Sequence, residues 1–376
     1  MQQCTLRIAV PPQATFAQHM IPPLPPYLLY LTAVITSVAI SLYAVRKIIF
    51  ITRSRKIFDI PDNVRKFHGD QIASLGGIGI FAGYMVASAF FMYLEWYYVV
   101  AASVILFFTG VYDDIMNMRP SKKLIAQLVA AAITVVLADI RITSLYGIGG
   151  IWELPYYASV ILTIIGCTFF INVFNFMDGI DGLACSLGIL YTGVAAAIFA
   201  ILGDQNMAGI SLSLLGATAG LLYYNVAPAR IYMGDTGSML LGLTIFTLCT
   251  ALINLYGTGQ NTHNITFIHS SQGMMSVIAA LVFLPVFDAL RVFALRIKRG
   301  ESPLLADRTH IHYYLLDAGF SHTAAVAIIV SANILLVALA WLTQDLSLLL
   351  TFGILALAMS AFMLLVAKKR AITLGK

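Results

Sequence analysis

The chain carries a succession of apolar stretches, each close to the roughly 20 residues that a helix needs to cross a lipid bilayer. Because backbone groups in lipid must be hydrogen-bonded internally, stretches of this length favour helices over barrel strands. The sequence therefore predicts an all-α fold, a polytopic integral membrane helical bundle with about eleven transmembrane helices. Their expected positions are about 27–50, 75–94, 97–112, 122–139, 155–173, 183–202, 206–225, 236–256, 272–295, 322–342 and 346–367.

Composition places the chain in the membrane. Hydrophobic residues make up 60% of it and charged residues only 10%, against roughly 25% charged residues in soluble domains. No polar segment is long enough for a separate soluble domain. We expect an irregular, proline-rich tail at 1–26, a single transmembrane domain at 27–367, and a basic tail at 368–376.

The distribution of Lys and Arg predicts the orientation. If odd-numbered helices run from outside to inside, all but two of the 22 cations lie on one side, the exceptions being Arg7 and Arg141. The positive-inside rule then puts the N-terminus outside and the C-terminus in the cytoplasm.

Aspartates accumulate on the same predicted face, although the positive-inside rule makes no demand on acids. In NVFNFMDGIDGLA (172–184), Asn175, Asp178 and Asp181 recur every third residue and could share one face of a helical turn. Helix caps within a loop are the alternative interpretation. Such a collection of carboxylates needs a cause other than topology.

Two further clusters place carboxylates at helix ends. Asp113 and Asp114 close an apolar stretch in VYDDIMNMRPSKK, with Asn117 one turn later if the helix continues. Adjacent carboxylates stay ionised only beside a cation, and Mg²⁺ suits one or two carboxylates with water and phosphate. Asp235, in IYMGDTGS, begins another apolar stretch, where a helix N-terminus can hold an anion. Solvated helix ends and a plain N-cap are the alternatives.

Two basic segments complete the set. Arg308, His310 and His312 lie in ADRTHIHYY, where phosphate binding is more plausible than a transition-metal site because no third strong ligand is evident. Lys66 lies in PDNVRKFH, before a glycine-rich segment. A surface loop and flanking charge are the alternatives. Together the five clusters indicate phosphoryl transfer at the cytoplasmic surface.

At these motifs the sequence resembles the polyprenyl-phosphate N-acetylhexosamine-1-phosphate transferase family, over about residues 27–367. The resemblance rests on PDNVRKFH, LGGIGIF, DDIMN, NVFNFMDGIDGLA, IYMGDTGS and SPLLADRTHIH. The nearest branch resembles the bacterial undecaprenyl-phosphate N-acetylglucosamine-1-phosphate transferases that start O-antigen, a lipopolysaccharide component, and related cell-envelope glycans. It implies transfer of N-acetylglucosamine 1-phosphate from UDP-N-acetylglucosamine to undecaprenyl phosphate, release of UMP, and Mg²⁺ or Mn²⁺ as cofactor. It also implies a multi-pass protein of the bacterial inner membrane with a cytoplasmic active site.

The resemblance also assigns roles to individual residues. The catalytic residues it implies are Asp113, Asp114, His310 and His312. The metal ligands it implies are Asp235 and Asp114. The substrate-binding residues it implies are Lys66, Asn175, Asp178, Asp181, Asn225 and Arg308.

Two positions depart from the family pattern. The acidic motif often reads D-D-x-x-D, but Asn117 fills its last place, and Tyr313 fills the last place of a motif that often reads H-I-H-H.

Three alternative functions stay open: the same family with another UDP-N-acetylhexosamine donor, a CDP-alcohol phosphotransferase, and a membrane transporter. The longer aspartate pattern of CDP-alcohol phosphotransferases is absent after Asp181. A transporter would place polar residues at the bilayer midplane, where these helices carry almost no charge. The expected partners are the two substrates and membrane lipid; no nucleic acid is expected, and a homodimer stays open.

Overall fold

The computed structural model describes residues 25–55, 72–257, 267–302 and 308–375, and most of them are helical. Ten of these helices are long and apolar enough to cross a membrane. In chain order the helices are α1 (Pro26–Arg55), α2 (Gly77–Ser88, continued by a 3₁₀ turn at Ala89–Phe91), α3 (Leu94–Met116), α4 (Pro120–Ala132, continued by a π-helical turn at Ile133–Leu137), α5 (Tyr156–Phe176), α6 (Leu183–Leu202), α7 (Gln205–Asn225), α8 (Gly234–Gly257), α9 (Ser271–Lys298), α10 (Ile311–Asp317), α11 (His322–Leu342) and α12 (Leu348–Thr373).

Each of the eleven predicted apolar stretches corresponds to one helix, so the prediction of a polytopic all-α membrane protein is confirmed. The segment predicted at 75–94 forms α2, which is shorter than the ten long helices. A small antiparallel hairpin of β1 (Ser144–Ile148) and β2 (Ile151–Glu153), which the sequence did not predict, connects α4 to α5.

The last helix is longer than the apolar stretch predicted at 346–367. Helix α12 continues to Thr373, past the boundary expected at 367, because Lys368, Lys369 and Arg370 suit the last turns of a helix, where cations interact favourably with the dipole. The predicted basic tail is thus largely helical. Most of the N-terminal tail predicted at 1–26, and Lys66, lie outside the described residues.

Small residues allow close packing between helices. Ser37 and Ser41 of α1 face Gly216 and Gly220 of α7, and a Cβ added at either glycine would overlap the facing serine. Lipid tails give apolar helices little reason to associate, so close backbone approach at small residues supplies much of the packing energy. Helix α7 also packs against α2 and α6, while α8 packs against α3 and α5, and α9 against α11 and α12.

A buried polar bridge accommodates the proline of α9. Pro285 has no N–H, so the carbonyl of Leu281 lacks its normal helical donor. The side-chain Nδ2 of Asn333 on α11 donates to that carbonyl at 3.0 Å, and the hydroxyl of Tyr191 on α6 donates to Asn333 Oδ1 at 2.6 Å. The bridge holds three helices together about two turns before Asp288, a residue of the site described below.

Helices α2, α3 and α8 meet at one end of the bundle. The N–H of Gly77, at the start of α2, donates to the carbonyl of Met233 at 2.8 Å, just before α8 begins. A Cβ at Gly77 or at Gly110 of α3 would overlap the backbone of Thr236 or Gly237 on α8. These contacts fix the first turn of α8, around which the predicted site residues gather.

Candidate active site

Two aspartates bind the first turn of α8. The carboxylate of Asp114, from the end of α3, accepts hydrogen bonds from the N–H groups of Asp235 (2.7 Å) and Thr236 (3.0 Å) and from the Thr236 hydroxyl (2.6 Å). Asp178, from the α5–α6 turn, accepts one from the N–H of Gly234 at 3.1 Å. Helix N-termini carry unpaired N–H groups and partial positive charge. This N-terminus is therefore filled by the protein's own carboxylates.

A lysine lies between the two remaining acidic groups. Lys123 Nζ is 3.0 Å from Asp113 Oδ2 and 2.5 Å from Asp235 Oδ2. All three side chains are largely buried, with exposed fractions of 16%, 10% and 23% in that order. Lys123 thus supplies a cation beside the aspartate pair, whereas Arg119 and Lys122, which lie close by in the sequence, are exposed.

The turn between α3 and α4 explains how Lys123 reaches this position. Helix α3 ends at Met116, and Asn117 adopts left-handed backbone (φ 54°) with its N–H donating to the Asp113 carbonyl. Pro120 then takes the first position of α4, where a missing N–H costs nothing. Asn117 is exposed and ends the helix, so the continuation of α3 on which its place one turn beyond the aspartate pair depended does not occur.

Asn175 supports Asp235 from the end of α5. Its Nδ2 donates to Asp235 Oδ1 and, at 2.8 Å, to the hydroxyl of Ser238. One turn deeper, the amides of Asn172 and Gln127 pair reciprocally, with Nδ2 of Asn172 2.7 Å from Oε1 of Gln127. This pair joins α5 to α4 and so keeps Asn175 and Lys123 on either side of Asp235.

The cluster holds more negative than positive charge. Burial raises the pKa of the Asp178 carboxyl well above its usual range, and the nearby carboxylates of Asp235, Asp114 and Asp181 raise it further, against the opposing hydrogen bond from Gly234. Ionising Asp178 therefore becomes easier when a further positive charge enters the site.

Asp181 and Asn225 lie at the edge of this cluster and organise loops. Asp181 Oδ2 accepts a hydrogen bond from the N–H of Ala229 at 3.1 Å and lies 3.6 Å from Nδ1 of His322. Asn225, 1% exposed, accepts from the N–H of Gly182 and donates to the carbonyl of Ile231, both at 3.0 Å. Asn225 thus ties the α5–α6 turn to the segment before α8.

A second cluster surrounds Asp288, in the cytoplasm-proximal half predicted for α9. Its Oδ2 lies 2.9 Å from Nδ1 of His310, within hydrogen-bond distance, and accepts from the N–H of Ile311 at 3.2 Å. Its Oδ1 accepts from Arg291 Nη2 at 2.6 Å. Asp288 is fully buried and His310 nearly so, so a paired carboxylate holds one of the two predicted histidines.

Arg308 is held from the other side of α10. Its Nη2 donates to Asp317 Oδ1 at 3.3 Å, and its guanidinium lies 4.9 Å from the ring centroid of Tyr313. Arg370, near the end of α12, donates to Asp317 Oδ2 at 3.0 Å through Nε. Tyr313, which departs from the family pattern, therefore provides an aromatic face for Arg308.

The two clusters meet at the α5–α6 turn. The ring of Phe176 lies 5.5 Å from that of His310, and His312 stacks parallel to His310 at 5.7 Å. A Cβ at Gly179 would overlap the His312 ring, so this position requires glycine. The structure thus brings the predicted residues together at one end of the bundle, apart from Lys66, which is not described.

The donor set fits a hard divalent cation. Asp113 and Asp235 direct one oxygen each at a single point that already holds the Lys123 ammonium, and carboxylate oxygens are what Mg²⁺ prefers. Within the described residues, no three His, Cys, Asp or Glu side chains form a ready-made ligand set. A site with two protein carboxylates suits Mg²⁺, which keeps several waters and binds substrate phosphates. The predicted ligand Asp114 has both oxygens engaged by α8.

Sequence reasoning missed Lys123 and Asp288 as site residues. Adjacent aspartates demand a nearby cation, and a proline-initiated helix returning towards them made Lys123 a candidate. Asp288 and Arg291, three residues apart in an apolar stretch, formed an ionisable pair at membrane depth, which marks function by default.

The sequence is similar to a known protein family and to several known proteins. The model for glycosyl transferase family 4 matches residues 96–253. The chain is 30% identical to a probable undecaprenyl-phosphate N-acetylglucosaminyl 1-phosphate transferase of Bacillus subtilis, over 76% of the chain and 79% of the relative. It is 29% identical to the undecaprenyl-phosphate alpha-N-acetylglucosaminyl 1-phosphate transferase of Salmonella typhi, over 81% and 82%. It is 32% identical to the decaprenyl-phosphate N-acetylglucosaminephosphotransferase of Mycolicibacterium smegmatis, over 61% of the chain but only 59% of that relative's length.

Proposed function

Since the chain belongs to glycosyl transferase family 4, among the polyprenyl-phosphate N-acetylhexosamine-1-phosphate transferases, we propose that it transfers N-acetylglucosamine 1-phosphate from UDP-N-acetylglucosamine to undecaprenyl phosphate. An oxygen of the acceptor phosphate attacks the β-phosphorus of the donor. The bond from that phosphorus to the bridging oxygen breaks, and UMP leaves. The product is undecaprenyl-diphospho-N-acetylglucosamine.

One observation carries the proposal: carboxylates, a buried lysine and an arginine–histidine segment converge at one end of a bundle of membrane-spanning helices. A polyprenyl chain must stay in lipid while a nucleotide sugar arrives from water, so the reaction needs a site at the membrane surface. The convergence of Lys123 with Asp113 and Asp235 supplies the mixed charge that phosphoryl transfer requires.

The side chains divide the work by charge. Asp113 and Asp235 would hold Mg²⁺ or Mn²⁺, which when bound screens the diphosphate charge and polarises its oxygens. Lys123, released from one carboxylate, would pair with a phosphate oxygen, and Arg308 would bind the donor diphosphate as a fork. Asp114 would act indirectly, by fixing the first turn of α8 and thereby Asp235.

The orientation follows from the basic residues. We place the site on the cytoplasmic face of the bacterial inner membrane, with the C-terminus inside, because the ends of α3, α5 and α9 and the starts of α4 and α8 share it with nearly all the cations. This is where nucleotide sugars are available. The product would begin O-antigen or a related cell-envelope glycan.

The test is release of UMP by purified protein in vesicles containing undecaprenyl phosphate. We expect UMP and a lipid-linked product with UDP-N-acetylglucosamine, a slower rate with UDP-N-acetylgalactosamine, and loss of both in excess chelator with recovery on adding Mg²⁺. The Asp235→Asn variant is the negative control.

Each alternative result has a defined meaning. A faster rate with UDP-N-acetylgalactosamine would replace the donor and leave the reaction type standing. Full activity in chelator would contradict the metal, and absence of UMP with every UDP-N-acetylhexosamine would contradict the proposed function.

A further inference from the structure

Asp288 is a carboxylate that the proposed reaction does not use directly. It lies in the apolar helix α9 with no exposed surface. A buried, unpaired carboxylate costs several kcal/mol, and charged groups inside membrane helices mark functional sites by default. The bonds that compensate Asp288 therefore indicate its use.

Asp288 contacts two consecutive residues at the start of α10, and Arg291 contacts the residue before them. Oδ2 lies 2.9 Å from His310 Nδ1 and accepts from the N–H of Ile311 at 3.2 Å. Arg291, one turn along α9, bonds Asp288 Oδ1 and the carbonyl of Thr309, both at 2.6 Å. The pair of Asp288 and Arg291 thus fixes the backbone and the ring of this segment together.

We propose that Asp288 is a positioning residue, which holds His310 as the Nδ1–H tautomer and so directs Nε2 to a substrate phosphate. A carboxylate only accepts hydrogen bonds, so the bonded Nδ1 must carry the proton. In the neutral ring Nε2 then has the free lone pair. This inference rests on the proposed function for its substrate, but the tautomer itself is a property of the protein alone.

The ring of His310 is fixed in orientation as well as in protonation. It lies between the ring of Phe176 at 5.5 Å and the parallel ring of His312 at 5.7 Å. These contacts place it beside the α5–α6 turn, where Asp178 binds the start of α8. The anchored ring therefore borders the carboxylate cluster that would hold the reacting phosphates.

The tautomer decides what His310 can do. Nε2 takes the proton from a monoanionic acceptor phosphate, whose freed oxygen then attacks the donor β-phosphorus. The proton leaves later to the UMP phosphate or to water, so the ring ends neutral. The negative charge of Asp288 stabilises the imidazolium formed in between, as a paired carboxylate does for a catalytic histidine in general.

The Asp288→Asn substitution tests the role of Asp288 in setting the tautomer of His310. Arg291 has donors only and bonds Oδ1 through both Nε and Nη2, so we expect the amide oxygen to face this cation and the amide NH₂ to face His310, at the loss of the bond from the N–H of Ile311. An NH₂ group bonds to an unprotonated Nδ1, so the histidine proton moves to Nε2, where it blocks proton acceptance. Asp288→Asn thus inverts the tautomer at constant size.

The experiment combines ¹⁵N NMR of histidine-labelled protein in detergent with steady-state kinetics. His310→Gln assigns the His310 signals among the seven histidines. We expect Nδ1–H and bare Nε2 in the wild type, the reverse in Asp288→Asn, and a fall in kcat of about a hundredfold or more, as for loss of a general base, with KM for the donor little changed. Asp288→Glu should recover the wild-type tautomer and part of kcat.

The chain offers a matched control. Asp345 contacts His269 Nδ1 at the same 2.9 Å, but that pair is exposed and lies at the other end of the bundle, just before α9 begins. Asp345→Asn should leave kcat unchanged.

Two results would overturn the inference. One is a wild-type His310 protonated on Nε2, which can be measured even if Asp288→Asn fails to fold. The other is a normal kcat in folded Asp288→Asn. A protein with the expected tautomer but no transferase activity would instead contradict the proposed function.

Discussion

Asp235 is the residue on which the charge balance of the site depends. One of its oxygens bonds Lys123 and the other Asn175, so its carboxylate links α4, α5 and α8. Asp114, although adjacent to Asp113 in sequence, has both oxygens bonded to the first turn of α8. The neighbouring aspartates therefore have different roles: Asp113 pairs with the Lys123 ammonium, and Asp114 caps the N-terminus of α8.

Asn117 and Asp235 should respond very differently to substitution. Asp235→Asn keeps size and removes charge, and we expect a loss of at least about a hundredfold in kcat/KM, near 2.7 kcal/mol. Asn117→Gly keeps the left-handed backbone that Asn117 adopts at φ 54°, so it should stay within about threefold of wild type. Initial rates measured against Mg²⁺ concentration decide between them. An inactive but monodisperse Asn117→Gly protein would make Asn117 a site residue.

Residue identities in the site could be predicted from sequence, but their partners could not. Carboxylates at helix ends marked Asp113, Asp178 and Asp235 without a structure. The α3–α4 turn, which brings Lys123 to Asp113 and Asp235, depends on the left-handed backbone at Asn117, which the sequence pattern does not specify. The sequence left open whether the helix continues to Asn117, and it did not identify Lys123 as the cation of the site.

At the scale of elements, α12 and α10 form one unit. Arg370 binds Asp317, which also binds Arg308, and Tyr314 lies under Arg370 with its ring centroid at 4.2 Å. The Thr373 hydroxyl adds a bond to the Ala318 carbonyl at 3.3 Å. The end of the last helix thus sets the position of a predicted substrate-binding arginine.

Arg370→Gln should raise KM for the nucleotide sugar by about fivefold to tenfold with little change in kcat. Without Arg370, Asp317 would pair with Arg308 alone and hold its guanidinium away from the substrate. Loss of the Arg370–Asp317 bond would also weaken the contact between α10 and α12. Lys369→Gln, an equal charge change at the exposed neighbouring position, is the control. Equal KM values in the two variants would show that α12 does not position Arg308.

The helices themselves were predictable because length and apolar content identify them in lipid. All eleven predicted stretches correspond to helices. The two stretches predicted at 183–202 and 206–225 are α6 and α7, which are joined by a short turn at Gly203 and Asp204. The β1–β2 hairpin was not predicted, because it lies between two apolar stretches and hydropathy identifies only the stretches themselves. Helix α12 continues past the apolar stretch predicted at 346–367, and the added turns are basic.

At the scale of the whole molecule, the bundle separates two kinds of end. One end gathers the acidic cluster, the Asp288 pair and the α10 segment. The described part of the other end carries the hairpin, the Arg141–Asp139 pair and the His269–Asp345 pair. Alternation of eleven helices puts the ends of α3, α5 and α9 on one face, which explains why motifs distant in sequence converge.

The most direct measurement follows the β-phosphate of the donor. UDP-N-acetylglucosamine carrying ³²P in the β-phosphate and ³H in the sugar is incubated with the protein in vesicles of undecaprenyl phosphate, and the lipid and aqueous fractions are separated. Transfer of sugar 1-phosphate predicts both labels in the lipid in equal amounts and unlabelled UMP in water. Recovery of ³H in the lipid with ³²P left in aqueous UDP would contradict the account, because the sugar alone would then have been transferred.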